Sequence, residues 1–286
     1  MADYQDTPPA THPREAQDRA SNPPPTRGRT FGTVAQAYAA HRPSYPDTAL
    51  DWALAPVSSP DSPTSARRGA LELLDLAAGT GKLTASLVRR STRVTAVEPD
   101  PEMLAVLRAE LPSVDALPGT AEDIPLPDAS VDAVLVGQAF HWFNPEPAVE
   151  EIARVLRPGG VLAALWNADD DRVEWVAGYH RAASEEDFTP AVRATGPRSD
   201  LPEMPEFEPP ERAEFSHSRR LTENGLIDVL GTHSWALVST PEKRAEVYAR
   251  IRAYLATRPE LGTAPDGTFE LPLCTEVLRA VRRERR

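Results

Sequence analysis

The chain has one cysteine, Cys274, and only two lysines among its 31 basic residues. A single thiol cannot form an internal disulfide, and no Cys/His cluster has the spacing of a zinc site. No apolar run approaches the roughly 18 residues of a membrane span, and residues 1–30 contain no apolar core of a signal peptide. We therefore expect a cytoplasmic protein that has no membrane partner.

The balance of charge also limits the partners. The formal net charge is −12 over 286 residues. Because nucleic-acid affinity comes mostly from Lys and Arg that neutralise phosphates, RNA and DNA are disfavoured as partners. Hydrophobic residues make up 41% of the chain, which is enough to bury the core of a large domain. We expect one compact domain with appendages, present as a monomer or a homodimer.

Composition divides the chain into four segments. Residues 1–30 are rich in Pro, Ala and charge with almost no large apolar residues, which predicts a disordered tail. Residues 31–68 hold two short helical patterns, "FGTVAQAYAAHRPSYP" and "PDTALDWALA", followed by a Pro/Ser-rich link. Residues 69–168 alternate between strand and helix patterns. Residues 169–286 hold further helices and two strand patterns that are expected to complete the same sheet.

The alternation along the chain predicts the fold class. Strand patterns run from "LELLDLAA" to "VLAALWN" with helical patterns between them, and "RAEFSHSRRLT" and "GTFELPLCTEVLRAVRR" add two more strands. Gly159 and Gly160 are the expected stop of the helix "PEPAVEEIARVL". This short cycle requires right-handed crossovers and a parallel sheet covered on both faces. The predicted class is α/β: a Rossmann-like, doubly wound, mostly parallel seven-stranded sheet with an N-terminal helical cap.

The glycine turn in "LDLAAGTGKLT", residues 74–84, could serve several chemistries. A triphosphate loop is disfavoured because Leu76 and Leu83 replace its first glycine and its hydroxyl residue. A dinucleotide site lacks its third glycine, since Thr84 stands there, so an NAD-dependent oxidoreductase is the weaker alternative. Small residues at alternate positions after Asp75 let a flat ligand lie against the backbone. Glu98, 23 residues after Asp75, stands where a carboxylate accepts hydrogen bonds from ribose hydroxyls.

Four stretches together carry a family resemblance: "LLDLAAGTGKLT", "VTAVEPDPEML", "GTAEDIPLPDASVDAVLVGQAFHWF" and "EIARVLRPGGVLAALWN". Their order and spacing resemble the successive motifs of class I S-adenosylmethionine-dependent methyltransferases, over about residues 31–167. The nearest subgroup is the small-molecule enzymes of methyltransferase type 11, similar to the ubiquinone-biosynthesis and trans-aconitate methyltransferases. One departure is Ala77, which stands where the family usually has the first glycine of the motif.

The resemblance implies S-adenosylmethionine as the cofactor, with S-adenosylhomocysteine as the product. It implies that Asp75 lies near the methionine end, that Glu98 holds the ribose, and that the Ala121 amide and the Glu122 carboxylate read the adenine edge. Gln138 would approach the methionine or the sulfonium. The full set implied to bind the cofactor is Tyr38, Arg42, Asp75, Ala77, Gly79, Gly81, Glu98, Ala121, Glu122 and Gln138.

The acceptor side is expected after the fourth and fifth strands, at the edge where open α/β sheets bind ligands. His141 in "FHWFNP" is the candidate base, because an unperturbed pKa of about 6.5 suits proton removal at neutral pH. A histidine that simply hydrogen-bonds its own loop is the alternative. The residues expected to contact the acceptor, each of which could also be ordinary core, are Tyr45, Trp142, Trp166, Trp175, Tyr179 and His180.

A metal site is not expected. The stretch "NADDD", residues 167–171, resembles part of a catechol-type metal site, but such a site also needs an Asp at the end of the fourth strand, where Gln138 and Ala139 stand. The predicted activity is transfer of a methyl group to a small organic acceptor, at oxygen first and then at aromatic carbon or nitrogen, in bacterial secondary metabolism. A non-catalytic domain that binds S-adenosylmethionine is a further alternative.

Overall fold

The structure is a computed structural model that describes residues 43–59, 70–91, 93–183, 202, 204–231, 235–236, 239–262 and 264–284. Tyr38 and Arg42 lie outside the described residues, as do the predicted tail and the first of the two predicted cap helices.

Seven strands form one sheet. They are β1 (Glu72–Leu76), β2 (Arg93–Glu98), β3 (Asp115–Pro118), β4 (Val131–Gly137), β5 (Leu156–Asp169), β6 (Glu211–Thr222) and β7 (Thr268–Val281). Their order across the sheet is β3-β2-β1-β4-β5-β7-β6. Strands β1 to β5 are parallel, whereas β7 runs antiparallel to both of its neighbours. This arrangement confirms the predicted mostly parallel, seven-stranded α/β sheet.

Among the described residues, seven helices connect or cover these strands. They are α1 (Asp47–Ser58), α2 (Lys82–Leu87), α3 (Pro101–Glu110), α4 (Pro145–Val155), α5 (Glu174–Ala183), α6 (Glu223–Gly231) and α7 (Pro241–Leu255). The sequence explains why α3 begins at Pro101. The Asp100 side chain caps the helix by accepting from the Glu102 and Met103 amides at 2.9 and 3.1 Å, and Pro101 occupies the first turn. Within the described segments, no helix is long and apolar enough to cross a bilayer.

Both faces of the sheet are covered by helices. On one face, Leu50 of α1 and Leu87 of α2 pack against strand residues of β1 and β4. On the opposite face, Val149 and Ile152 of α4 pack against the alternate residues of the same strands. Because successive strand side chains point to opposite faces, the continuous apolar runs of β1 and β4 serve both layers.

The glycine pair before β5 corrects one prediction. Gly159 and Gly160 do not stop α4, which ends at Val155 and passes directly into β5. The Gly159 amide instead donates to the Arg282 carbonyl at 2.9 Å, and the Arg282 amide donates to the Gly160 carbonyl at 2.7 Å. A Cβ on Gly160 would come within 2.9 Å of the Asp132 carbonyl oxygen. The predicted helix stop is therefore wrong, because the close approach of neighbouring backbone, rather than a helix end, requires a glycine here.

Strands β6 and β7 continue past the end of β5 as a two-stranded ribbon. Asp169, the last residue of β5, pairs with Leu273, whereas β6 and β7 stay paired as far as Thr222 and Thr268. Helices α5, α6 and α7 pack on this ribbon around a separate small core. We call this unit the upper helical layer; it lies beyond the carboxyl edge of β5.

Candidate active site

The carboxyl ends of four central strands are joined by hydrogen bonds. The Ala78 amide, after β1, donates to the Val97 carbonyl of β2 at 3.0 Å. The Gln138 side chain, after β4, donates to the Asn167 carbonyl of β5 at 2.7 Å. Because open α/β sheets bind ligands at this edge, the joined ends define the candidate site.

The glycine turn after β1 has a left-handed backbone at three positions: Ala77 at φ +56°, Gly79 at +58° and Gly81 at +86°. A Cβ on Gly79 would meet only the Met103 sulfur, at 3.8 Å, so the backbone there is open to a ligand. A Cβ on Gly81 would lie 3.0 Å from Leu107, so this glycine serves the packing of α3. An alanine in the left-handed region costs about 1–2 kcal/mol, so Ala77 holds backbone strain in the turn.

Glu98 fixes the turn to the end of β2. Its side chain is buried, with Oε2 accepting from the Gly79 amide and Oε1 from the Asp100 amide, both at 2.8 Å. Burial raises the pKa of Glu98, and the two hydrogen bonds from backbone amides oppose that rise. Each carboxylate oxygen can accept more than one hydrogen bond, so Glu98 can also bind a pair of hydroxyl groups.

Asp75 lies beneath the turn and is fully buried. Its Oδ2 accepts from the Thr84 hydroxyl at 2.6 Å, and burial raises the pKa of Asp75 to about 7. Among the described residues, Asp75 Oδ1 and the Thr80 hydroxyl are buried with no hydrogen-bond partner. Buried polar atoms are normally paired, so these two atoms, together with the open backbone at Gly79, fit a ligand that brings polar groups to the turn.

The predicted adenine-side residues lie after β3. Ala121 is buried in the main core, and Glu122 is half-buried. One oxygen of Glu122 accepts from the Asn144 amide at 2.8 Å, just before α4. The loop after β3 is therefore fastened to the start of α4.

Gln138 has a left-handed backbone, with φ +60°, at the end of β4. The residue it contacts, Asn167, was not predicted as a site residue. The Asn167 side chain donates to the Ser44 carbonyl at 3.2 Å and accepts from the Thr275 hydroxyl. A Cβ on Gly137 would lie 2.6 Å from the Tyr45 hydroxyl, so the segment before α1 covers the ends of β4 and β5. The available signal for Asn167 was a polar residue directly after the buried run "VLAALW".

His141 lies in a short 3₁₀ turn, Phe140–Trp142, that follows β4. Phe140 is buried, whereas His141 is exposed and Trp142 is 44% exposed. The His141 and Trp142 ring centroids are 4.7 Å apart. The structure thus brings these two predicted site residues together on the exposed side of the turn that follows β4.

The remaining predicted aromatic residues divide between two cores. Trp166 is buried in the main core. Trp175 and Tyr179 belong to the upper helical layer, where Tyr179 is fully buried and donates to Asp169. His180 Nε2 lies 3.0 Å from Asp169 Oδ2 and 2.8 Å from the Tyr179 hydroxyl oxygen. In the described part of the chain, no three His, Cys, Asp or Glu side chains form a group that could hold a metal ion.

Comparison with known proteins assigns the family. A methyltransferase domain model matches residues 74–164. An uncharacterised methyltransferase of Mycobacterium tuberculosis is 44% identical over 251 residues, which cover 88% of this chain and 95% of that protein. The ubiquinone/menaquinone biosynthesis C-methyltransferase of Rubrivivax gelatinosus is 41% identical over 95 residues, 32% of this chain and 38% of that enzyme. The solved structure of an Anaeromyxobacter dehalogenans protein assigned as a type II methyltransferase is 28% identical, with a TM-score of 0.54 over 84% of this chain and 97% of that one. The chain therefore belongs to the class I S-adenosylmethionine-dependent methyltransferases.

Proposed function

We propose that this methyltransferase acts on a small organic acceptor, with oxygen as the first choice of acceptor atom and aromatic carbon or nitrogen next, and that it uses no metal. The observation that carries the cofactor site is the bond between Glu98 and the Gly79 amide, which places a fixed carboxylate beside an open glycine turn. Similarity to a C-methyltransferase supports carbon as the second choice. Family membership leaves the NAD-dependent oxidoreductase alternative without support.

The described residues fit S-adenosylmethionine as follows. Glu98 binds the ribose hydroxyls, and the open backbone at Gly79 lies against the ligand. Asp75 and Gln138 lie at the ends of β1 and β4, where they serve the methionine part. Ala121 and Glu122 serve the adenine. Tyr38 and Arg42 keep their proposed cofactor contacts as predictions, since they lie outside the described residues.

The bound cofactor supplies a methyl group already activated on a sulfonium. The task of the chain is to align the acceptor with that methyl group, to exclude water and to remove a proton where the acceptor carries one. His141 is the proposed base, and Trp142 beside it and Tyr45 near Gly137 are proposed to contact the acceptor. Trp166, Trp175, Tyr179 and His180 are proposed to shape the acceptor pocket from the two cores that hold them.

The first test is titration calorimetry with S-adenosylmethionine, S-adenosylhomocysteine, NADH and ATP in parallel. We expect micromolar binding of the first two ligands and none of NADH or ATP. An acceptor screen that follows release of S-adenosylhomocysteine then defines the substrate. Tight cofactor binding with no turnover of any acceptor would favour the non-catalytic alternative.

The role of His141 is tested separately from cofactor binding. We expect His141→Ala to lower turnover of the acceptor found in the screen by about 100-fold, because general-base catalysis contributes on that order. Affinity for S-adenosylhomocysteine should stay unchanged, since the proposed cofactor contacts come from other residues. A variant that keeps full turnover, or that loses cofactor affinity, contradicts this division of roles.

A further inference from the structure

One arginine of α4 holds the loop between β3 and β4. Arg154 donates to the Ile124 carbonyl at 2.9 Å and to the Leu126 carbonyl at 2.7 Å. Glu151, one turn earlier, accepts from the Ile124 amide at 2.9 Å. Two residues of one helix thus bind both polar groups of the Ile124 backbone and a second carbonyl two residues later.

The guanidinium of Arg154 is itself held in place. It pairs with both oxygens of Glu151, at 2.6 and 2.7 Å, and with the Asp128 carboxylate at 2.9 Å. These pairs raise the pKa of Arg154 above its usual range, and Arg154 in turn lowers the pKa of Glu151. A planar fork with several fixed donors makes this set of bonds, and a lysine cannot reproduce it.

The held loop contains the two residues assigned to adenine. An antiparallel bridge between Thr120 and Asp123 closes a tight turn around Ala121 and Glu122. Directly after this turn, Ile124 is almost fully buried in the same core as Ala121. Before α4, the Asn144 amide donates to Glu122 at 2.8 Å. The turn is therefore fastened to α4 at both ends of the helix, by Glu122 at its start and by Arg154 at its last turn.

We propose that Arg154 is a positioning residue for adenine recognition, which holds the turn 120–123 on α4 so that the Ala121 amide and the Glu122 carboxylate meet the base in fixed positions. This inference rests on the proposed cofactor site. Adenine offers an amino donor and a ring-nitrogen acceptor, whereas hypoxanthine offers a carbonyl acceptor and an N–H donor in the same places. A fixed donor–acceptor pair rejects the reversed pattern, because the mismatched groups are left unpaired.

The test compares S-adenosylhomocysteine with S-inosylhomocysteine by titration calorimetry. We expect the natural chain to prefer the adenine ligand by about 100-fold or more. In Arg154→Met the preference should fall by about tenfold, mainly through weaker binding of the adenine ligand, since coupling within such networks is of this size. The preference of Arg154→Lys should lie between those of the natural chain and Arg154→Met, because lysine keeps the positive charge but lacks the forked set of donors of the guanidinium.

The matched control is Arg157→Met. Arg157 pairs with Asp132 at 2.9 Å at the start of β4. Both side chains are more buried than those of the Arg154–Glu151 pair, so Arg157→Met removes an ion pair that is at least as well shielded and should leave the preference unchanged. If Arg154→Met does not fold, Glu151→Gln replaces it. The glutamine side-chain oxygen can still accept from the Ile124 amide, but the side chain no longer carries the negative charge that holds Arg154. Equal weakening of both ligands, or an unchanged preference, overturns the proposal. Failure of the natural chain to bind S-adenosylhomocysteine overturns the proposed cofactor site itself.

Discussion

Glu98→Gln should weaken S-adenosylhomocysteine binding by about 100-fold or more. A glutamine keeps one acceptor oxygen, so only one of the Gly79 and Asp100 amides retains its bond, and the other faces an amino group. The ribose also loses a charged acceptor. Hydrogen bonds to charged groups contribute about 1.5–3 kcal/mol each, and about 2.7 kcal/mol corresponds to a factor of 100 in affinity. Titration calorimetry measures the loss directly.

The control for this variant is Glu102→Gln. Glu102 lies in the first turn of α3, close to Glu98 in sequence, and its side chain is exposed. We expect its affinity for the same ligand to stay within about twofold of the natural chain, since exposed substitutions have small effects. If Glu98→Gln also binds within about threefold, Glu98 supports the turn but does not bind the ribose.

The parts of the site that the sequence predicted are those formed by local pattern. Asp75 is the next-to-last residue of β1 and Glu98 the last of β2, and parallel strands place their carboxyl ends at one edge. The chemistry of the turn could also be read locally, because Gly79 and Gly81 are the residues that adopt a left-handed backbone without strain. The mostly parallel sheet was also predictable, because strand and helix patterns alternate regularly along the chain.

The parts that the sequence did not predict depend on partners far apart in the chain. Asn167 bonds to Ser44, which is 123 residues away, and to Thr275, which is 108 residues away. Arg154 finds its carbonyl partners 28 and 30 residues earlier. Gly159 and Gly160 match the pattern of a helix stop, and only the neighbouring strand shows their use as points of close backbone approach. No local sequence pattern predicts such contacts, because the partners become neighbours only when the sheet is assembled.

The buried carboxyl of Asp75 should make the ligand-free protein less stable as the pH rises. Burial raises its pKa from 3.8 to about 7, with the Thr84 hydrogen bonds opposing the change. Because the folded pKa lies above the unfolded one, the folded chain binds the proton more tightly. Its contribution to stability is fully present below about pH 4 and is lost as the pH rises through about 7. The difference between the two pKa values corresponds to a contribution to the free energy of unfolding of at most about 4 kcal/mol.

Asp75→Asn removes this titration and keeps an oxygen that accepts from Thr84. The free energy of unfolding of the variant, relative to the natural chain, should therefore rise by about 2–4 kcal/mol between pH 5 and pH 8. Urea denaturation without ligand at several pH values measures the difference. Glu98, whose pKa burial also raises, is present in both proteins and affects the comparison only through its electrostatic interaction with Asp75.

Thr84→Val should extend the pH-dependent loss of stability that Asp75→Asn removes. It therefore separates titration of Asp75 from a general effect of substitution. It removes the hydroxyl that stabilises the charged form, so the pKa of Asp75 should rise further and the loss of stability should extend to higher pH. Parallel stability curves for Asp75→Asn and the natural chain would mean that Asp75 has the same pKa in the folded and unfolded states. The unpaired Oδ1 would then belong to a charged carboxylate whose burial is offset by groups other than Thr84.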